Sequence, residues 1–213
     1  MVSRMGDAPR KDCDLGQTLV LASASPRRRE LLARAGVPFE IRPANIAENA
    51  QPGEAYQALV TRLASEKAHA IARDLPSSPL RWVLGSDTLV VLEGEAIGKP
   101  RDARHAESLL GRLAGRVHEV ITAVALVRSD GSERHSFYVR SKVHMRPASG
   151  AEIARYVATG EPLDKAGAYA VQGEGRRFVT KIEGSETNVI GLPLSETLAL
   201  LRQVGLVAPG DTP

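Results

Sequence analysis

Segments with helical periodicity alternate with apolar, strand-like segments along this chain, and only short turns separate them. The predicted strands are 18–22, 39–42, 82–92, 117–127 and 134–145, and the predicted helices are 26–35, 53–75, one between Asp102 and Gly115, 149–159 and 194–204. Because helices interleave with strands that can pair in parallel and with hairpins, the pattern predicts an α/β fold in which helices flank a mixed, twisted sheet.

The domain organisation follows from length and continuity. The 213 residues, 43% of them hydrophobic, are enough to bury a core and suit one domain. Neither an internal repeat nor a low-complexity linker interrupts the pattern, so we place a single domain at 17–207. Residues 1–16 and 208–213 lack an apolar pattern, and we expect both to be loose tails.

Composition and charge exclude several classes of function. A net charge of +3 is too weak to wrap nucleic acid, and an aromatic content of 4% offers few surfaces for stacking bases, so we expect no stable nucleic-acid complex. The apolar runs are all shorter than the roughly 18 residues that cross a bilayer, and the first residues lack the core of a secretory signal. We therefore expect a cytoplasmic protein without membrane contact. The single cysteine, Cys13, predicts neither a disulfide nor a cysteine-based metal site.

Three arginines crowd the start of the first predicted helix, in the segment SASPRRR at 23–29. Ser25 suits the N-cap and Pro26 suits the first helical position. Cations there lie at the positive end of the helix dipole, where each costs about 0.3 to 1 kcal/mol, so an anion should offset them. Exposed backbone N–H groups together with guanidinium groups would form a phosphate site. The alternative is a solvated basic helix face.

A carboxylate, Asp87, interrupts the apolar strand predicted at 82–92. An isolated acid in such a strand would shift its pKa or need a cation partner, so a metal ion, a lysine or a catalytic role must be considered. The alternative is an aspartate at a β-bulge whose side chain is hydrogen-bonded to backbone. Gly85 would permit such a bulge.

Two lysines, Lys67 and Lys99, are further candidates for a functional site. Val60, Lys67 and Ile71 share one stripe of the long helix, which puts this lysine on the apolar face. Its side chain either extends to the rim of that face or reaches a phosphate in a cleft. Lys99 follows the turn after the Asp87 strand, so it can approach the carboxylate, with an exposed loop lysine as the alternative.

Small residues dominate the segment DKAGAYAVQG at 164–173, which opens with an acid and a base. Small residues let backbone approach a ligand closely. Gln172 carries both a donor and an acceptor, which suits the edge of a nucleobase, although a surface glutamine needs no such role.

Four motifs, in this order and spacing, closely resemble the Maf family. They are LASASPRR at 21–28, GSDT at 85–88, GKP at 98–100 and DKAGAY at 164–169, and the likeness spans about 19–203. The resemblance implies an elongated α/β fold with two lobes around a deep cleft. It also implies a pyrophosphatase that acts on a nucleoside triphosphate and uses a divalent cation, Mg²⁺ or Mn²⁺. The sequence leaves the oligomeric state open, with a homodimer as one alternative.

The same resemblance implies roles for individual residues. The catalytic residues would be Asp87, Lys67 and Lys99, the substrate-binding residues would be Ser23, Arg27, Arg28, Thr88 and Gln172, and the metal ligands would be Glu48 and Asp87. Asp87 would accept a proton from the water that attacks the α-phosphorus, while the arginines and lysines would face the triphosphate.

Substrate choice is implied by the residue that follows the catalytic aspartate. Thr88, with Arg27 and Gln172, resembles the branch of the family that acts on dTTP and UTP, and we expect Thr88 and Gln172 to hydrogen-bond the base. The branch that acts on 7-methyl-GTP is similar but tends to carry glutamine after the aspartate. The alternative from another class is a non-catalytic module that binds nucleotide and affects cell division through a partner.

Overall fold

The structure, a computed structural model, describes residues 19–76 and 78–208. The predicted tails, apart from residue 208, lie outside these residues, as do Cys13 and Thr18. The strands are β1 (Leu19–Leu21), β2 (Phe39–Ile41), β3 (Trp82–Leu92), β4 (Glu95–Ile97), β5 (Val117–Arg128), β6 (Arg134–Met145) and β7 (Val179–Glu183). The helices are α1 (Pro26–Arg34), α2 (Tyr56–Arg73), α3 (Ala103–Leu113), α4 (Gly150–Val157), α5 (Glu186–Ile190) and α6 (Leu194–Gln203). Short 3₁₀ turns occupy 161–164, 166–168 and 174–178.

The seven strands form one mixed sheet in the order β2-β1-β3-β5-β6-β7, with β4 paired to β3. β1 is parallel to β2 and to β3, whereas β3, β5, β6 and β7 pair antiparallel in turn. The predicted α/β fold around a mixed sheet is confirmed. β3 and β5 lie at the centre of the sheet, where both of their faces are covered. Burial on two faces explains why each strand is a nearly continuous apolar run.

Three hydrophobic clusters pack on the sheet, and β3 contributes to all of them. α3 and α4 cover the first cluster, α2 covers the second, and α1 and α6 cover the third. β3 contributes Val90 and Leu92 to the first cluster, Val83 and Val91 to the second, and Trp82 and Leu84 to the third. In the described part of the chain, none of the helices combines the length and the apolar character that crossing a bilayer requires.

The helix starts agree with the sequence in part. Asp102 accepts the N–H of His105 at 2.7 Å, and Ser149 with Glu152 forms the predicted capping box. Pro26 begins α1 and Ser25 occupies its N-cap, both as predicted, although the Ser25 side chain makes no capping hydrogen bond.

The start predicted for α2 at Gly53 is wrong. Gly53 has a φ of 72°, a left-handed conformation that a right-handed helix cannot include. The helix therefore begins at Tyr56, after an extended Ala55.

Gly85 lets α2 lie directly on β3. A Cβ built at this position would be 2.1 Å from the carbonyl oxygen of Ala64 and 2.8 Å from the backbone nitrogen of Ala68. β3 also pairs with β5 without a register shift from Trp82 to Val91. The alternative of a β-bulge at Gly85 is therefore wrong, and the glycine serves close contact between helix and strand instead.

Candidate functional site

A cavity of about 330 Å³ opens between the turn that joins β1 to α1 and the segment that follows α4. Its lining contains every site residue predicted from the sequence: Ser23, Arg27, Arg28, Glu48, Lys67, Asp87, Thr88, Lys99 and Gln172. Helices, strands and turns that are far apart in the chain thus bring the predicted residues to one place.

Lys67 lies between two acids at the floor of the cavity. Its Nζ donates to Oδ1 of Asp87 at 2.7 Å and to Oε1 of Glu48 at 2.5 Å. Lys67 and Asp87 are buried, with 7% and 8% of their surface exposed, whereas the Glu48 side chain is about half exposed at 48%. The alternative in which Lys67 extends to the rim is therefore wrong.

Burial and charge act against each other on the two acids. Burial raises the pKa of the Asp87 carboxyl above its ordinary value, although Lys67 and Arg28 favour its charged form. Burial alone would also raise the pKa of Glu48, but the hydrogen bond and charge of Lys67 outweigh it, so that this pKa is lowered. A buried carboxylate with increased proton affinity that faces a cavity suits a proton acceptor.

Arg28 is buried and is fixed by three hydrogen bonds. Its Nε donates to the carbonyl oxygen of Gly191 at 2.9 Å, its Nη1 to Oγ of Ser23 at 3.1 Å, and its Nη2 to Oγ1 of Thr88 at 3.1 Å. The alternative of a solvated basic helix face is therefore wrong for Arg28, whereas the neighbouring Arg29 is exposed to solvent. Arg28 places a fixed positive charge beside the N-terminus of α1.

A chain of hydrogen bonds orients the Thr88 hydroxyl. Thr122 donates to the carbonyl oxygen of Asn188 at 2.8 Å, so it can only accept from Thr88, 3.0 Å away. Thr88 therefore donates to Thr122 and accepts from Arg28. The structure places this hydroxyl against the guanidinium and in the lining of the cavity, and its contact with a base stays a prediction.

Thr122 and Asn188 were missed by sequence reasoning. Thr122 is fully buried and interrupts the apolar run of β5 just as Asp87 interrupts that of β3, so the same signal could have found it. Asn188 is also fully buried, but it lies in a five-residue helix whose pattern does not mark it.

The opposite side of the cavity carries the remaining predicted residues. Arg27 reaches Oδ2 of Asp164 at 3.2 Å and so connects the two sides. Gln172 is exposed between the second and third 3₁₀ turns, and Lys99 is exposed after β4. The charge of Lys99 helps to lower the pKa of Glu48, so it acts on the same cluster of acids.

The acids of the cavity suit a metal ion that a substrate helps to hold. Within 19–76 and 78–208, no three His, Cys, Asp or Glu side chains are grouped to hold a metal ion. Glu48 and Asp87, however, converge on the same ammonium group. Because Mg²⁺ is usually held by one or two carboxylates and by substrate phosphates, these two acids fit that pattern.

Comparisons with known proteins identify the family. The family described as Maf-like protein matches residues 18–204. A dTTP/UTP pyrophosphatase of Myxococcus xanthus (strain DK1622) is 52% identical over 191 residues, which cover 90% of this chain and 94% of the relative. A dTTP/UTP pyrophosphatase of Escherichia coli O157:H7 is 52% identical over 190 residues, which cover 86% and 91%.

A solved structure of a nucleoside-triphosphatase / dITP/XTP pyrophosphatase from Mycobacterium abscessus aligns over 88% of this chain and 94% of that chain. Its TM-score of 0.39 and identity of 14% are too low to bear on the fold or the activity. The family match, by contrast, covers most of the chain, and the two sequence relatives share about half of their residues with it. This chain therefore belongs to the Maf family.

Proposed function

We propose that this protein hydrolyses dTTP and UTP to the nucleoside monophosphate and pyrophosphate. The observation that carries the proposal is the buried pair of Lys67 and Asp87 at the floor of a cavity whose wall holds the fixed Arg28. A proton acceptor beside fixed positive charges is what the cleavage of a phosphoric anhydride requires. Relatives at 52% identity carry the name of this activity.

In the proposed reaction, water attacks the α-phosphorus in line and gives a proton to Asp87. The bond from the α-phosphorus to the bridging oxygen breaks, and pyrophosphate leaves with the bonding electrons. Arg28, Ser23 and the N-terminus of α1 hold phosphate oxygens. Lys67 and Lys99 stabilise the negative charge that develops on the leaving group.

Glu48 and Asp87 are the residues that would hold Mg²⁺ or Mn²⁺, together with phosphate oxygens. The ion, when bound, supplies positive charge that neutralises the phosphate oxygens around the reacting centre. Glu48 is about half exposed, so its carboxylate can leave Lys67 and turn toward the substrate while it stays hydrated.

Pyrophosphate release from a panel of triphosphates tests the proposal. With Mg²⁺ or Mn²⁺ present, dTTP and UTP should be cleaved faster than ATP and GTP, and chelation of the metal should stop turnover. Faster cleavage of 7-methyl-GTP than of UTP would assign the protein to the sister branch. Binding without turnover of any triphosphate would favour a non-catalytic nucleotide-binding module.

Arg28→Ala is expected to weaken the binding of a non-hydrolysable UTP analogue about 10- to 150-fold, the value of a charge-assisted hydrogen bond. Binding of uridine should change little, because Arg28 lies where the helix N-terminus and the guanidinium converge on phosphate. Titration calorimetry with both ligands measures the difference. Arg29→Ala removes the neighbouring exposed arginine and is the matched control. An equal loss of affinity for the analogue and for uridine would count against a phosphate role.

Gln172→Ala is expected to reduce the preference for UTP over GTP about 5- to 100-fold while measurable catalysis remains. Uracil and thymine present an acceptor, a donor and an acceptor along one edge, and the amide of Gln172 can match part of it. The ratio of kcat/KM for the two substrates measures the effect. Gln203→Ala, at an exposed position of α6 outside the cavity, is the control. An unchanged ratio in Gln172→Ala would show that another group selects the base.

A further inference from the structure

A buried tyrosine and a glutamate lie behind the cavity wall that carries Gln172. Tyr156 of α4 is fully buried, and its hydroxyl donates to Oε1 of Glu161 at 2.7 Å. Both residues lie outside the cavity lining. They are separated from the cavity by the loop 170–175, which has Gln172 near its middle.

This pair binds the backbone of the loop on both sides of Gln172. The N–H of Ala170 donates to the phenol oxygen at 3.1 Å. The N–H groups of Glu174 and Gly175 donate to the two carboxylate oxygens at 3.0 and 3.1 Å. The loop is therefore anchored before and after Gln172 to one pair of side chains.

Two glycines show how closely the loop is held. A Cβ built at Gly173 would be 2.3 Å from Oε2 of Glu161, and one built at Gly175 would be 2.5 Å from the hydroxyl oxygen of Tyr156. Both contacts are shorter than a Cβ tolerates, and at Gly175 the added atom would also meet the backbone oxygen and nitrogen of Ala170 at 2.7 and 2.8 Å, which no change of rotamer relieves. The approach is thus a specific feature of the loop.

The chemistry of the carboxylate suits its three donors. Partial burial would raise the pKa of Glu161, but the hydrogen bonds from Tyr156, Gly175 and Glu174 and the charge of Lys165 outweigh it, so the pKa is lowered. An ionised carboxylate accepts at both oxygens, as the three donors require. A neutral side chain of the same shape would leave at least one N–H facing another donor.

We propose that Glu161, acting with Tyr156, is a positioning residue that holds the loop 170–175 and thereby sets how strictly Gln172 selects the base. The inference rests on the proposed function, because it concerns the choice among triphosphates. Glu161 touches neither the base nor the reacting atoms in this scheme, and it acts only through the loop.

Glu161→Gln tests the inference. Its amide nitrogen is a donor, so one backbone N–H of the loop loses its acceptor. We expect KM for UTP and dTTP to rise about 10-fold with kcat within about 3-fold of the original value, and the preference over GTP to fall about 10-fold. Wild-type selectivity in a folded Glu161→Gln protein would overturn the inference. If this variant does not fold, Tyr156→Phe replaces it, because it removes the Ala170 anchor and leaves the carboxylate.

Glu152→Gln is the matched control for a merely structural effect. Glu152 is also an acid that accepts a backbone N–H, from Ser149, and an arginine, Arg146, and it lies at the start of the same helix as Tyr156. Its loss should lower the melting temperature and leave base selectivity unchanged. If Glu152→Gln lowers selectivity as much as Glu161→Gln does, Glu161 contributes only to general stability.

A double-mutant cycle with Gln172 separates the remaining explanations. In the Gln172→Ala protein, Glu161→Gln should lower selectivity by no more than about 2-fold, because both changes remove the same contact. A full second loss would show that Glu161 acts by another route. A wild-type protein without a pyrimidine preference would defeat the proposed function, whereas a selective wild type with an equally selective Glu161→Gln variant would defeat this inference alone.

Discussion

Asp87→Asn is expected to lower the turnover of dTTP and UTP about 10²- to 10⁴-fold, the contribution typical of a general base. The amide has nearly the shape of the carboxylate and fills the same position in β3, but it cannot take a proton from water. The measurement is kcat from pyrophosphate release at saturating substrate and metal. Asp130→Asn, the same change in the exposed turn between β5 and β6, should leave kcat unchanged. Near-wild-type turnover in Asp87→Asn would show that the base is elsewhere.

The same variant is expected to keep or raise its free energy of unfolding. The raised pKa of Asp87 means that the folded protein binds the proton more tightly than the unfolded chain does. The ionised carboxylate therefore destabilises the fold at neutral pH. That cost disappears when the pH falls below the ordinary pKa of an aspartate, because both states are then protonated. Urea unfolding of the two proteins at neutral pH measures the gain, and a large loss of stability would contradict it.

Gly85→Ala is expected to lower the free energy of unfolding by at least about 3 kcal/mol, the upper end of ordinary overpacking costs. The new Cβ would meet backbone atoms of α2 at 2.1 and 2.8 Å, and no change of rotamer relieves a contact with backbone. The helix must therefore move away from β3. Because α2 carries Lys67, that movement would also lengthen its contact with Asp87, so activity should fall in any protein that still folds.

Gly111→Ala is a control in which the same substitution is expected to raise the free energy of unfolding. Gly111 lies on the exposed face of α3, where an added Cβ would meet no atom within 4 Å. Alanine there should stabilise the protein by about 0.5 to 1 kcal/mol, because glycine is the poorer helix former. Thermal and urea unfolding of both variants measure the contrast. A Gly85→Ala protein as stable as the wild type would show that α2 adapts to β3 more easily than this packing implies.

The central elements of the fold follow from local patterns. The apolar run of β3 and the alternation of β6 gave their observed bounds, because each is ended by turn residues on both sides. The order of the strands does not follow from such patterns. The insertion of β1 between β2 and β3 depends on which apolar faces meet in three dimensions, and the start of α2 depends on the backbone conformation of Gly53.

The residues of the candidate site also differ in whether the sequence reveals them. Asp87 and Lys67 could be found because each is a charged residue in an otherwise apolar pattern, and such a residue needs a partner. The sequence did not show that they are partners of each other, since the contact joins α2 to β3. The pair formed by Tyr156 and Glu161 gave no signal, because a tyrosine and a glutamate near the end of a helix are ordinary in isolation.

The floor of the cavity and the wall with Gln172 come from different segments of the chain, and this affects how such proteins can diverge. The acid at the floor belongs to β3 and its lysine to α2, which pack on each other in the second hydrophobic cluster. The wall with Gln172 belongs to the stretch 156–178, which packs on the sheet in the first cluster and contributes nothing to the second. Substitutions in that stretch can accumulate without disturbing the packing of α2 on β3. Under the role proposed for Gln172, exchange of 156–178 between relatives would transfer part of the base preference without altering the pair of Asp87 and Lys67, so new substrates could arise by recombination of short segments.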